Sequence, residues 1–366
     1  TNYKKNINEN YKISIDSALQ TSMNYIQITN PNDDLSYKNS LSTKINLQGY
    51  NLRKFDDYLQ ISSNFYQINQ KNEDNKTTPY VLPSIKYYGG SNNFNGIYID
   101  NTFEFYNIFR DKNTKIHSKN QQKISYKLNT NRDIFFKNSK IIVESEIYSQ
   151  VFNTNKKLIE SDKYHSGNYM RIFPILSANI ETPFKIKNNR YDFTYNPNLQ
   201  IVLTPGISNS NKISNEDSGV NTYSQETSKL LNRYTGSDKM DNSKRINYGI
   251  TVKNNIIKMN LNQSYEFTNN SNFHKEQGND DNLSDLLGSF EYYNEDKIFN
   301  YNFRYDHNDR FVKKQNISLK SSFQLGNVQI SYLDEKSKVN NLINQDTETF
   351  NYEFESKKIN NFSKVT

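Results

Sequence analysis

The sequence predicts an all-β fold, a large antiparallel transmembrane β-barrel of the outer-membrane type. Three observations carry this expectation. Apolar and polar residues alternate, strand after strand, between Arg245 and Tyr305. The chain is hydrophilic, with a mean hydropathy of −0.94, yet it holds 28 Tyr and 22 Phe among 366 residues. Tight turn sequences also alternate with long polar connections.

The alternation is clearest where it can be read in consecutive hairpins. Ile246, Tyr248, Ile250 and Val252 share one side, against Arg245, Asn247, Thr251 and Lys253. After Asn254-Asn255 the pattern restarts, with Ile257, Met259, Leu261, Tyr265 and Phe267 against Lys258, Asn260, Asn262, Ser264 and Glu266. It returns in Phe299, Tyr301, Phe303 and Tyr305 against Asn300, Asn302, Arg304 and Asp306. A period of two makes strands with one dry and one wet face. The lipid-facing set is therefore expected to include Ile246, Tyr248, Ile250, Ile257, Met259, Leu261, Phe299, Tyr301 and Phe303.

The same period marks further strands. They are seeded by Ile13 and Ile15, by Leu41 to Leu47, Leu59 to Phe65, Ile97 to Phe109, Ile124 to Leu128, Ile172 to Ile180 and Leu199 to Leu203. Later ones follow at Ile317 to Phe323, Val328 to Tyr332 and Phe350 to Phe354. This gives about 17 strands of a larger barrel, at roughly one per 20 residues. Most are long enough for the about 9–11 residues that a tilted strand needs to cross a bilayer.

The connections fall into two classes. Asn254-Asn255, Asn294-Glu295-Asp296 and Leu325-Gly326-Asn327 are tight turns. Gln70 to Thr78, Arg110 to Asn120, Asn153 to Asn168, Ser208 to Lys229 and Asn269 to Asn282 are long and polar. Short turns on one side and long loops on the other belong to membrane barrels. No composition shift marks a boundary, so residues 1–366 form a single barrel domain. The start at Thr1 without Met or signal peptide, and the end at Val365-Thr366 without a closing aromatic strand, read as a fragment incomplete at both ends.

Composition narrows the function classes. Only 34% of residues are apolar, too few Val, Leu and Ala to fill a soluble sandwich core. No stretch reaches the length of a membrane helix. Cysteine is absent, which removes disulfides and thiolate metal sites. The net charge of +7 comes from Lys and Arg scattered among acids, not the clustered patch of a nucleic-acid binder.

Catalytic chemistry has no visible support. His117, His165, His274 and His307 lack metal-ligand spacing. Asp280-Asp281 and Glu295-Asp296 lack the Asp-x-Asp-x-Asp-Gly order of a calcium loop, so they read as solvated charge. Tyr88-Gly89-Gly90-Ser91 is a strand end with a glycine turn. The expectation is no enzyme, no cofactor and no metal.

Inward-pointing charges are the remaining signal. Arg245, Lys253, Lys258, Arg304 and Lys320 should line the interior, either paired with acids in a wet lumen or forming a path for an anionic substrate. A wide barrel cannot fill its lumen with its own side chains. Residues 208–239 are a candidate infolded or capping loop, with an ordinary extracellular loop as the alternative. Asn215, Glu216, Asp217, Arg233 and Asp238 would tie an infolded loop to the wall by charge-assisted hydrogen bonds. No weakly bonded lateral seam is evident, and Pro83, Pro174 and Pro183 read as edge or bulge punctuation.

Several local motifs keep a recognisable order. Ile213-Ser214-Asn215-Glu216-Asp217-Ser218 is similar to Ile-Pro-Asn-Glu-Asp-Ser. Leu231-Asn232-Arg233-Tyr234-Thr235-Gly236-Ser237-Asp238-Lys239 is similar to Leu-x-Asn-Arg-Phe-x-Gly-x-Asp-Arg, and runs into Arg245-Ile246-Asn247-Tyr248-Gly249-Ile250. Asn262-Gln263-Ser264-Tyr265 matches Gly-Gln-Ser-Tyr, and Ser284-Asp285-Leu286-Leu287-Gly288 matches Ser-Asp-Ile-Val-Gly. Upstream, Phe65-Tyr66-Gln67, Pro79-Tyr80-Val81-Leu82-Pro83, Gly89-Gly90 and Arg171-Ile172-Phe173-Pro174 keep the same order. Together these resemble the C-terminal barrel of the lipopolysaccharide-assembly family LptD, also known for organic-solvent tolerance. Ser214, Lys239, Asn262 and Glu266 depart from its pattern.

The resemblance implies a barrel of about 26 strands, near the large end of the range, in the outer membrane of a Gram-negative bacterium. It implies a plug lipoprotein (LptE-like) inside, and a periplasmic lipopolysaccharide bridge reaching a missing N-terminal jelly-roll domain. Lipopolysaccharide would enter the outer leaflet through a gap between the first and last strands. It also singles out Asn215, Glu216, Asp217, Arg233, Gly236, Asp238, Arg245, Gln263, Ser284 and Asp285 as candidate lumen and loop residues. A porin or receptor-type transporter, or a soluble β-rich surface or adhesion protein, are the alternative readings.

Overall fold

A computed structural model describes residues 2–22, 25–69, 74–187, 192–268, 273, 277–279, 281–339 and 342–356. His274, Asp280 and Val365-Thr366 lie outside the described residues, as do parts of the predicted loops at 70–78 and 269–282. No helix is long and apolar enough to cross a membrane. The strands of the first half are β1 (Asn2–Asn6), β2 (Tyr11–Ser17), β3 (Ser40–Tyr50), β4 (Tyr58–Ile68), β5 (Tyr80–Tyr88), β6 (Asn92–Phe94), β7 (Ile97–Phe109), β8 (Asn120–Phe136) and β9 (Ser139–Glu160). The second half holds β10 (Lys163–Glu181), β11 (Phe184–Lys187), β12 (Asp192–Leu203), β13 (Lys244–Lys253), β14 (Ile257–Glu266) and β15 (Leu286–Asn294). It closes with β16 (Lys297–Asp306), β17 (Phe311–Phe323), β18 (Gly326–Val339) and β19 (Leu342–Ser356). Two short helices, α1 (Tyr25–Thr29) and α2 (Gln225–Ser228), lie in connections.

All 19 strands belong to one antiparallel sheet. It is a meander in which each strand pairs with the next. Two short strands stand aside: β6 pairs only with β7 and β11 only with β12, so β5 meets β7 and β10 meets β12 directly. Among the described residues no ladder joins β1 to β19, and the sheet is open.

The predicted segregation of connections is present. At one end the strands are joined through 7–10, 51–57, 137–138, 254–256, 295–296 and 324–325. At the other they are joined through the long connections 18–39, 69–79, 110–119, 204–243 and 267–285, with short turns at 161–162 and 307–310. Asn254 builds its own turn, its side chain accepting from Ile256 N and Ile257 N at 2.8 and 2.6 Å. One expectation fails. Residues 153–168 are not a loop but the continuing hairpin of β9 and β10, turned only at 161–162. Its polarity misled the reading, because a hairpin that projects past the apolar belt needs no apolar face.

Burial separates the two faces. On β14, Met259, Leu261 and Tyr265 are exposed, while Asn260, Ser264 and Glu266 are buried. On β8, Ile124 and Tyr126 are exposed, while Gln121, Lys123 and Ser125 are buried. Apolar residues thus face out and polar residues face in, the inverse of a soluble sheet protein and the arrangement of a membrane barrel wall.

Candidate functional site

What buries the inner polar residues is the connection 204–243. It folds back over the inner face of β7 to β14 and is held there by two charge clusters and an apolar patch.

The first cluster is centred on Lys123 of β8, whose ammonium is fully buried. It bonds the carboxylate of Asp217, and donates to Asp238 Oδ1 at 2.9 Å and Ser237 Oγ at 3.0 Å. Tyr106 of β7 donates to the same Asp238 oxygen at 2.8 Å. The other Asp238 oxygen accepts from the backbone N–H groups of Glu216 and Asp217 at 2.7 and 3.1 Å. Asp217 closes the loop on itself by accepting from Ser237 N and Asp238 N. Gly236 allows this approach, since a Cβ there would strike the Asp217 carboxylate and carbonyl. Next to it, Arg110 grips Glu216 with both guanidinium nitrogens, at 3.0 and 2.5 Å, the fork geometry that suits Arg to carboxylates. Gln121 fixes Ser214 through its backbone N and O.

These surroundings set the loop carboxyls apart. Burial raises Glu216, but His117, Arg110 and Ser214 outweigh it and hold the group down at about 2. Asp217 is likewise lowered, because Lys123 outweighs its burial. Burial pushes Asp238 up to about 6 despite Lys123, with the Asp217 charge adding to the rise.

The second cluster joins the loop to β13 and β14. Arg233 donates to Asp241 at 2.5 and 3.2 Å and to Glu266 at 3.1 Å. Arg245, fully buried, donates to Asp241 at 3.2 Å and bonds the carbonyl of Leu230. Ser243 donates to Glu266 at 2.5 Å. Two arginines and two acids balance, as buried charges must. Between the clusters, Leu231 and Met240 of the loop pack on Tyr148, Phe173, Ile175 and Val202 of the wall.

A third contact reaches further along the sheet. Tyr223 donates to Ser284 Oγ at 2.7 Å. Asp285 faces Lys313 at 3.4 Å and Arg304 at 3.5 Å, and burial raises its pKa to about 6 against the pull of Lys313. Beside α2 lies a cavity of about 340 Å³, lined among others by Glu226, Lys258, Glu291, Arg304 and Lys314.

Of the residues singled out from sequence, Glu216, Asp217, Arg233, Gly236, Asp238 and Arg245 meet in the two clusters. Asn215 closes a turn within the loop, its side chain bonding Ser218 N and O. Ser284 and Asp285 lie at the third contact. Gln263 is placed differently: it shares the outer side of β14 with Leu261 and Tyr265, accepting from Tyr248 Oη at 2.8 Å. Among the outer-face residues, Tyr248, Met259 and Leu261 are exposed, and Ile246, Ile250, Ile257, Phe299, Tyr301 and Phe303 are half-buried by their neighbours. Phe303, for example, covers Gly288 on the adjacent strand.

Sequence reasoning missed the wall side of the first cluster: Tyr106, Arg110, Gln121, Lys123, Gln150 and Arg171. Arg171 donates to Ser237 O and Asp238 O at 2.7 and 3.1 Å. The signal was available, since Gln121, Lys123 and Ser125 interleave with the apolar Ile124, Tyr126 and Leu128. Also missed were Asp334, Asp346 and Glu348, which converge within 4.8 Å, with Lys336 bonding Asp334 at 3.0 Å.

A family model described as LptD, LPS transport system D, matches residues 1–361. The chain belongs to the LptD family. No curated protein matches it. Among solved structures it is similar to BamA from Haemophilus ducreyi lacking POTRA domains 1–3, with TM-score 0.33 and 9% identity over 85% of this chain and 67% of that one. It is also similar to the siderophore receptor PirA from Acinetobacter baumannii, with TM-score 0.42 and 9% identity over 85% of this chain and 54% of that one. The chain thus spans about two thirds and about half of those two chains. Membership in LptD places the protein in lipopolysaccharide transport and assembly at the outer membrane.

Proposed function

We propose that this chain is wall and inner plug of a barrel that carries lipopolysaccharide to the outer leaflet of a Gram-negative outer membrane. The observation that supports it most directly is the paired arrangement of exposed apolar residues outside and buried, charge-fixed loop inside. The short-turn end faces the periplasm and the long-connection end faces outward, by the rule for bacterial barrels. The segment 204–243 narrows the lumen along β7 to β14. The inner face of β17 and β18 is more open, with Lys314 and Glu335 partly exposed, as are Lys258 of β14 and Glu291 of β15. A phosphorylated head group requires such a hydrated, charge-lined route, while acyl chains require contact with hydrocarbon.

The proposed partners are a plug lipoprotein occupying the uncovered lumen and a periplasmic bridge protein delivering lipopolysaccharide. Depleting the full-length protein from cells tests the reading. The expected result is loss of newly made lipopolysaccharide from the cell surface, with a small lipoprotein copurifying with the barrel. Unchanged surface delivery, with ion conductance by the purified barrel alone in planar bilayers, would establish the porin reading instead.

A further inference from the structure

The segment 204–243 folds inward, but the connection 18–39 folds the other way. Register places Leu41, Thr43, Ile45, Phe65 and Gln67 on one side of β3 and β4, together with Ile61. Ile61 stands in line with Ile85 of β5, Phe105 of β7 and the outward Ile124 of β8, so this side is the outer one. On it Ile45 is 42% exposed, whereas Leu41, further along the same face, is 1% exposed. A side chain on the outer wall is that dry only where the protein itself covers it.

The cover is tied down by polar groups that would otherwise be out of place beside hydrocarbon. Gln67, the ladder partner of Leu41, accepts from Gln20 N at 3.0 Å and donates to Gln20 O at 2.9 Å. Asn69, fully buried, accepts from Gln20 Nε2 at 2.9 Å and donates to Leu35 O and Lys38 O at 3.2 and 2.9 Å. The connection so held exposes Leu19, Tyr25, Ile28 and Tyr37. Beside it lies a cavity of about 480 Å³, lined among others by Leu19, Thr43, Phe65, Gln67 and Tyr80. That volume falls within the about 300–1,000 Å³ of ligand pockets. Its floor is aromatic: Phe65 meets Tyr80 edge-on at 6.1 Å, and Tyr80 stacks on Phe109 at 5.0 Å. Towards the long-connection end the lining turns polar, with Asn75 and Thr78.

We propose that this groove binds one acyl chain of a lipid resident in the leaflet at the long-connection end, with the lipid's polar group at Asn75 and Thr78. The groove is continuous with the apolar outer wall through Phe65, Ile61 and Ile85, so hydrocarbon is what reaches it. A stable protein contact engages roughly 20–30 residues a side, far more than line this groove. A seated chain fills the space between the wall and the outward-folded connection and pins that connection in place. The inference stands on the outer face meeting hydrocarbon and does not need the lipopolysaccharide-transport reading.

The test uses the full-length protein reconstituted in vesicles of dimyristoylphosphatidylcholine. A photo-crosslinking tyrosine analogue replaces Tyr80 in the groove, or Tyr248 on the open outer wall. Irradiation in the vesicles, and again after exchange into excess cholate, separates wall contact from binding, because the rigid rings of cholate carry no alkyl chain to compete. The expected result is lipid adducts at both positions in the vesicles, and after exchange adducts at 80 with loss at 248. Thr43→Trp, which fills the groove, should abolish the retained adduct at 80 while the barrel still resists SDS without heating. The comparison of 80 with 248 decides the matter even where that variant fails to fold. Loss at 80 as complete as at 248, or an adduct retained in folded Thr43→Trp protein, would overturn the proposal. Crosslinks from 80 to a second copy of the chain in place of lipid would overturn it too.

Discussion

The inner faces of β8 to β13 and of β16 to β18 carry the same alternation of polar residues, yet their charges do different work. Where the segment 204–243 folds onto the wall, Lys123 and Arg245 of the strands and Arg233, Asp238 and Asp241 of the segment are buried and each is matched by opposite charge. On the less covered wall of β17 and β18, Lys314 pairs with Glu335 at 3.0 Å with both side chains about a third or more exposed, and Lys320 is exposed. The alternation makes both faces. Burial beneath a folded-back connection decides whether a charge is a fixed anchor or a hydrated group, and Arg304 and Lys313, buried against Asp285 of the connection 267–285, are anchors as well. Energetically the two cases are far apart, because removing one partner of a buried pair strands the other, whereas exposed pairs contribute little.

The largest expected effect is therefore at Lys123. Lys123→Met leaves the buried Asp238 without its cation and frees Asp217 from it, at a cost of about 3–5 kcal/mol. The covered region should become protease-sensitive between 204 and 243 while the barrel still resists SDS without heating. Unchanged protease resistance would mean that the loop is held by other contacts.

Acid comes next. Glu216 sits at about 2 in the fold against an ordinary 4.5, so its contribution is complete above 4.5 and is lost as pH falls through about 2. Asp238 has the opposite sign: raised to about 6 from 3.8, it makes the fold relatively more stable as pH drops from 7 towards 4. Loop protection should therefore persist or strengthen between pH 7 and 4.5 and fail below. Limited acid proteolysis reads this directly, and release already near pH 6 would contradict it.

Arg245→Met removes a donor to Asp241, which keeps Arg233, and should cost about 1.5–3 kcal/mol. Combined with Arg233→Met, the losses should be strongly non-additive in thermal unfolding, since both act on Asp241. Gly236→Ala forces the Asp217 contact apart for about 1–3 kcal/mol. The smallest effect belongs to the more exposed wall of β17 and β18: Lys314→Ala should change stability by less than about 1 kcal/mol. A large loss there would erase the distinction between the two regions.

Much of this was legible in the chain itself. The period of two gave the strands and faces because a membrane wall imposes a strict in-out alternation, as along Lys258 to Glu266. The acidic and basic residues of 213–241 stood out because a loop dense in such charges needs partners. Their partners were harder to see. Lys123 lies about a hundred residues away, and only the stacking of β8 against the folded-back loop brings it to Asp217. The hairpin at 153–168 was misread because strands outside the bilayer lose the apolar signal that marks the others.

The account depends on which face meets hydrocarbon, and the absence of Trp from the chain makes that measurable. Single reporters, Met259→Trp on the outer face and Asn302→Trp on the inner, can be compared in bilayers containing brominated lipid. Strong quenching at 259 and little at 302 is the predicted result; strong quenching at 302 with protection at 259 would contradict it.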